Sequence, residues 1–258
     1  MDTRIEVKGL SYSVEEIGIL HDVSLAVQNK KMVGIIGPNG SGKTTLLKHI
    51  YRALPAGKRT VFINNHAIED YSFTESAQAL TVVKQENVSD FEFTVEGMVL
   101  LGRSPYRRSY ESFTQEDYKI AHAALESIGM QSFAERSFNA LSGGEKQRVL
   151  IARSLAQQAD IYILDEPTNH LDIHYQWNLM ELIKSLDATV LGVFHEMNLA
   201  AYYCDELLVL DKGRIITCGD PDSVLTTELL SEVFGVSSEI IHLKNGRPHI
   251  IIHGQSQR

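Results

Sequence analysis

Residues Gly37-Pro38-Asn39-Gly40-Ser41-Gly42-Lys43-Thr44 place three glycines, an amine and a hydroxyl at the spacing G-x-x-x-x-G-K-[ST]. The glycines let backbone N–H groups curve around polyphosphate oxygens, and a helix starting directly afterwards points its partly positive N-terminus at the same anion. Lys43 is long enough to reach the β- and γ-phosphates of a nucleotide. The Thr44 hydroxyl suits Mg²⁺, a hard cation that keeps octahedral oxygen ligands. Met32 to Ile36 reads as an apolar strand and Thr45 to Leu54 as a helix, the strand-loop-helix context that this motif requires. Residues 37–45 are therefore the expected cradle for the phosphates of ATP.

Two further groups of residues extend the chemistry. Ile161 to Leu164 is an apolar run ending in Asp165-Glu166, the pattern of a buried parallel strand that delivers carboxylates at its C-terminal end. Asp165 is expected to hold Mg²⁺, directly or through water, and Glu166 to polarise the attacking water, a general-base role typically worth about 10²–10⁴ in rate. Ser142 with Glu145 forms a capping-box pattern at the start of the helix Glu145 to Gln157. Ser142, Gly143 and Gly144 also expose a helix N-terminus able to bind an anion. One ATP already has its own cradle, so a second anion site asks for a second γ-phosphate.

Taken together, the P-loop, the signature Leu141 to Glu145 and the Asp165-Glu166 strand resemble the nucleotide-binding subunits of ATP-binding cassette (ABC) proteins, over nearly the whole chain. The resemblance implies an α/β fold: a P-loop NTPase ABC cassette with a RecA-like parallel-sheet core, a small antiparallel β subdomain and a helical subdomain. It implies a head-to-tail dimer with a second copy, in which the signature of one copy closes over ATP held by the other. Residue by residue, Tyr12 matches the aromatic that stacks on adenine, an interaction typically worth about 1–3 kcal/mol. Gln85 matches the glutamine that touches Mg²⁺ or water and senses the transmembrane partner, although Lys84 stands where proline is common. Asp172 matches the residue that reaches across the dimer. His195 matches the histidine that contacts the γ-phosphate, with Glu196 where aspartate is more frequent. The implied catalytic set is Glu166, His195, Lys43 and Gln85, and the implied metal set is Thr44, Gln85 and Asp165. His170 and His174 flank Asp172 without metal-ligand spacing and are read as non-metal residues.

Within that family, Thr94-Val95-Glu96, Leu101-Gly102-Arg103-x-Pro105, the run Glu166 to Ile173, Val224-Leu225-Thr226 and Val233-Phe234-Gly235-Val236 resemble the ATPase subunits of iron-siderophore, haem and cobalamin importers. This implies a pair of permease subunits engaged by the helical insertion and the Gln85 loop, and a substrate-binding protein on the far side. The competing reading is a soluble ABC ATPase acting in translation, DNA maintenance or iron-sulfur assembly. Such translation factors carry two cassettes in one polypeptide, and chromosome-type ATPases insert long coiled coils. This sequence has neither.

The elements that must position these residues follow from composition and periodicity. A chain of 258 residues, 43% hydrophobic, can bury a core, and no apolar run approaches the roughly 20 residues needed to span a bilayer. Asp2 and Glu6 stand where a signal peptide needs a basic start and an apolar core, which together with the resemblance places the chain at the cytoplasmic face of the membrane, bound through the permease. Cys204 and Cys218 are too few for a disulfide framework. A net charge of −9 argues against nucleic acid as a partner. The basic cluster Arg103, Arg107 and Arg108 reads either as a solvated loop or as a contact surface for another protein. A single domain is expected, with 1–85 and 158–258 as the core with its β subdomain and tail, and 86–157 as a helical subdomain. Strands are expected at Arg4 to Lys8, Leu25 to Val27 and Arg59 to Ile63, and a helix over Gln115 to Ile128 capped by Thr114 and Asp117. Strand and helix then alternate from His174 to Cys218. The tail reads as two short helices and a hairpin, Ile240 to Leu243 with His249 to Ile252, turned by Asn245-Gly246.

Overall fold

The computed structural model describes residues 2–84, 92–108, 110–169 and 171–256. They divide into two units, Met1–Asp70 with Asp187–Arg258, and Tyr71–Leu186. In chain order the first unit opens with β1 (Thr3–Val14), β2 (Ile17–Gln28), β3 (Met32–Ile36), α1 (Lys43–Ile50), β4 (Val61–Ile63) and β5 (His66–Ala67). The second holds α2 (Phe73–Ala79), β6 (Leu80–Lys84), α3 (Val95–Leu100), α4 (Gln115–Ser127), α5 (Gly143–Gln157), β7 (Ile161–Asp165) and α6 (Ile173–Ser185). The first then resumes with β8 (Thr189–Val193), α7 (Met197–Tyr203), β9 (Glu206–Asp211), β10 (Arg214–Gly219), α8 (Pro221–Val224), α9 (Thr227–Phe234), β11 (Val236–His242) and β12 (Pro248–Gln255).

The first unit contains two kinds of sheet, and the burial patterns explain why. In β1 and β2, apolar Ile5, Val7, Leu10, Leu20, Val23 and Val27 are buried between half-buried and exposed residues, the mark of antiparallel strands with one face toward water. They form the sheet β2-β1-β4-β5. By contrast every residue of β3 and of β8 is buried. β3 pairs in parallel with both β8 and β9, and β10 adds an antiparallel edge. Gly34 in the middle of β3 makes room for the chain after α7, because a Cβ there would lie 2.8 Å from Cys204 Sγ.

In the second unit β6 and β7 pair in parallel, with Lys84 opposite Asp165. Helices α3, α4 and α5 share a core of Val95, Met98, Val99, Leu125, Phe138 and Val149. None of the helices among the described residues is long and apolar enough to cross a membrane.

Several elements differ from their sequence expectations. The hairpin β1–β2 runs well past Lys8 and begins well before Leu25, because its exposed half is held by cross-strand pairing around a turn at Glu15 (φ 53°) that carries no glycine signal. Helix α2 was without an apolar period; Ser72 and Glu75 start it with a complete capping box. The tail hairpin closes over three residues, Lys244 to Gly246, with Leu243 N–H donating to Arg247 O at 2.9 Å and Gly246 N–H to Leu243 O at 2.8 Å. Gly246, at φ 80°, supplies the left-handed residue of that loop.

Arg103 corrects both readings of the basic cluster. It is only 8% exposed, and its Nε donates to Asp117 Oδ1 at 3.0 Å while Nη1 donates to Ala156 O at 2.9 Å and Gln158 Oε1 at 3.1 Å. Its neighbour Gly102 permits this approach, since a Cβ there would lie 2.2 Å from Arg153 O. Arg103 is thus an internal clamp between the segment after α3, α4 and the end of α5. Arg107 lies over the Phe113 ring, and Arg108 is exposed and donates to Tyr110 Oη.

Candidate functional site

The phosphate cradle is shaped by close packing of the loop against its neighbours. A Cβ on Gly37 would stand 2.0 Å from Leu210 O, and one on Gly42 would stand 2.8 Å from Leu20 Cδ2 and 3.0 Å from Ile19 O. Gly40 and Gly42 also adopt φ of +79° and +102°, which a side chain disfavours. Gly213 N–H donates to Ser41 O at 3.0 Å, so the turn between β9 and β10 braces the loop. Pro38 is half-buried and Asn39 exposed, along its outer rim.

Helix α1 begins under this loop with Gly42 as N-cap, no side-chain capping hydrogen bond and no acidic residue in its first turn. The N-terminal end of the helix dipole is therefore left to backbone N–H groups. Lys43 is 6% exposed and its Nζ donates to Gly37 O and Pro38 O, each at 2.9 Å. Ser41 Oγ is buried within the loop without a hydrogen-bond partner. Thr44 and Thr45 are half-buried in the first turn. Backbone donors, a cation and an orphaned hydroxyl converge as a polyphosphate requires.

Two more expected residues belong to the same unit. β8 is in register with β3, Val193 opposite Ile35, and Phe194 N–H donates to Ile35 O at 3.1 Å. Exposed His195 therefore emerges at the strand edge from which Gly37 leaves. Tyr12 on β1 is half-buried, its ring centroid 4.7 Å from that of His49 on α1.

The second unit carries the acids and the signature. β7 ends in half-buried Asp165, opposite Lys84; Gln85, which follows, lies outside the described residues, as does His170. Glu166 adopts φ 54°, and the Asn169 side-chain amide donates to its Oε2. The loop after Glu166 is held by two glutamines that the sequence did not single out: Gln147 Nε2 of α5 donates to Pro167 O at 3.3 Å, and Gln176 Nε2 of α6 to Thr168 O at 3.2 Å. Gln147 is 5% exposed among the apolar residues of α5, and a polar residue on an apolar helix face was the available signal.

Ser142 caps α5 as its spacing predicts. Its N–H donates to Glu145 Oε2 at 2.8 Å, its Oγ to the same oxygen at 2.7 Å, and Glu145 N–H returns a bond to Oγ at 3.4 Å. The hydroxyl and N–H of Ser142 hold the Glu145 carboxyl below the usual glutamate range. Gly144 is half-buried, and Gly143 is exposed, with nothing within 4 Å of the position a Cβ would take, so the start of α5 is open. Asp172 is exposed and caps α6, accepting from Tyr175 N–H at 3.1 Å. His174 pairs with the Asn178 side chain.

These features coincide with a known family. Residues 20–169 match the ABC transporter family, a stretch holding the P-loop, the signature and Glu166, with Tyr12, Asp172 and His195 outside it. The chain belongs to the ABC transporter family, and its α/β fold is that of an ABC cassette. It is 35% identical to the iron(3+)-hydroxamate import ATP-binding protein FhuC of Bacillus subtilis, over 90% of both chains. It is 39% identical to the hemin import ATP-binding protein HmuV of Pseudomonas fluorescens, over 90% of this chain and 93% of that one. It is also 37% identical to the uncharacterized ABC transporter ATP-binding protein YvrA of Bacillus subtilis, over 96% of this chain, and spans 58% of that relative's length. Among solved structures, an ABC transporter described as metal-chelate type, in an inward-facing conformation, aligns with TM-score 0.82 at 25% identity over 98% of each chain. A dimeric bacterial ABC transporter cassette aligns with TM-score 0.75 at 30% identity, over 84% of this chain and 98% of that one.

Proposed function

We propose that this chain is an ATP-hydrolysing subunit that dimerises and energises a membrane importer of iron-siderophore, haem or cobalamin type. The observation that carries the nucleotide half of this reading is the cradle itself, with Gly37 pressed against Leu210 O above an N-terminus of α1 that no side chain caps. The import half is supported by relatives whose names specify hydroxamate, hemin and cobalamin import, which favours it over a soluble ATPase.

In this reading the loop N–H groups and Lys43 bind the β- and γ-phosphates, and the half-buried Tyr12 ring stacks on the base. Thr44 and Asp165, with Gln85, would hold Mg²⁺, which neutralises charge on the phosphate oxygens when bound. Glu166 accepts a proton from the attacking water, and His195 touches the γ-phosphate. Ser142 to Glu145 of one copy cover the nucleotide of the other, and Asp172 reaches between copies. Residues 86–157 and Gln85 engage permease subunits at the cytoplasmic face of the membrane, and a substrate-binding protein is met only indirectly.

Glu166→Gln tests the assignment of the base. The variant should bind ATP as the unchanged protein does, accumulate as an ATP-bound dimer on size exclusion, and lose about 10²-fold or more in turnover. Hydrolysis at the unaltered rate would remove Glu166 from that role.

A further inference from the structure

His49 lies near the C-terminal end of α1 and is 1% exposed. Neither of its ring nitrogens meets a partner at good hydrogen-bond geometry. Burial lowers its pKa from the ordinary value, against a weaker opposite pull from a backbone hydrogen bond at Pro55. The aromatic ring that this buried imidazole meets is that of Tyr12. The centroids are 4.7 Å apart at an interplanar angle of 69°, the edge-on arrangement that aromatic quadrupoles favour.

Tyr12 needs such a contact more than most strand residues. The β1–β2 ladder shifts register on both sides of it, between Leu10 and Tyr12 and again between Tyr12 and Ser13. Its neighbours Ser11 and Ser13 are exposed. A regular ladder sets side-chain direction through its pleat, and here the ladder is interrupted at the residue whose direction matters. The His49 ring supplies the missing restraint. It comes from α1, the helix whose other end forms the floor of the phosphate cradle.

We propose that His49 is a positioning residue, holding the Tyr12 ring in the orientation in which it stacks on the base of a bound nucleoside triphosphate. One rigid helix then sets both where the phosphates sit and where the base platform stands. This rests on the reading of Tyr12 as that platform.

The test is equilibrium binding of two probes, ATP and inorganic tripolyphosphate, to the purified chain. Tripolyphosphate uses the cradle and has no base. Tyr12→Ala should weaken ATP and leave tripolyphosphate unchanged. His49→Ala should do the same, by about threefold to tenfold for ATP. His49→Phe, which keeps an aromatic edge and fills the space, should restore ATP binding. In a Tyr12→Ala background, His49→Ala should add no further loss. Equal loss for both probes in His49→Ala and in His49→Phe would show that His49 merely supports the P-loop helix, and would overturn the proposal. A full additional loss on top of Tyr12→Ala would overturn it as well. If Tyr12→Ala itself leaves ATP affinity intact, the platform reading falls and the proposal with it. Loss in Tyr12→Ala without loss in His49→Ala overturns the proposal alone.

Discussion

At the scale of single residues, the glycines separate two demands that a motif treats alike. Gly37 has no room for a side chain, whereas a Cβ on Gly143 meets nothing within 4 Å. Gly37→Ala must therefore displace the loop, and a displacement of this size should cost about 10²-fold in kcat/KM for ATP, measured by steady-state hydrolysis. Gly143→Ala should leave the melting temperature and the nucleotide affinity of the single chain unchanged. Its hydrolysis should fall, because the added methyl stands where another copy's phosphate is proposed to approach. The P-loop was legible in sequence because wrapping backbone around phosphate admits few residue types at few spacings. Gln147 and Gln176 were not, since an amide that holds a carbonyl can come from any nearby helix. Arg103 misled for a related reason: a guanidinium is usually at the surface, and nothing local announces that Asp117 and Ala156 O will enclose it.

At the scale of elements, the buried pair Arg103–Asp117 fastens α4 to the segment after α3. Burial pushes the Asp117 carboxyl up, but hydrogen bonds from Thr114 and the Arg103 guanidinium outweigh it and hold the carboxyl below its usual range. A depressed folded pKa means that the stabilisation is complete above the unfolded value of about 3.9 and is lost as pH falls through the lower folded value. Asp117→Asn should destabilise the protein by about 3–5 kcal/mol at pH 7, the cost of breaking a buried pair. Chemical denaturation of both proteins should show that difference shrinking below about pH 4; a difference independent of pH would contradict this origin. The starts of α4 and α5 were readable because Thr114 and Ser142 announce them, and both cap as their spacing predicts, whereas the capping of α6 by Asp172 came from the structure alone. The lengths of β1 and β2 were not, because exposed strand residues carry no apolar period and the pairing that extends them is non-local.

At the scale of the whole molecule, the same helix α5 links two parts of the proposed site. Its N-terminus is open at Gly143, and its buried Gln147 holds the loop that bears Glu166. In a head-to-tail dimer, that helix would meet the phosphate of one nucleotide with its tip and hold, with its flank, the loop that carries Glu166, the proposed general base for the other. The two sites would then share a solid part in each chain.

The central claim is that each hydrolytic site is built from two copies, and mixing two inactive variants tests it most directly. Lys43→Ala disables the cradle of its own chain, and Ser142→Arg blocks the signature that its chain lends to the other. In a two-fold dimer of one chain of each kind, both lesions fall in one site and the other site is intact. Each variant alone should be inactive, and the mixture should regain ATP hydrolysis in proportion to the mixed dimers formed. A mixture as inactive as its components, with mixed dimers demonstrated by affinity tags, would contradict the account.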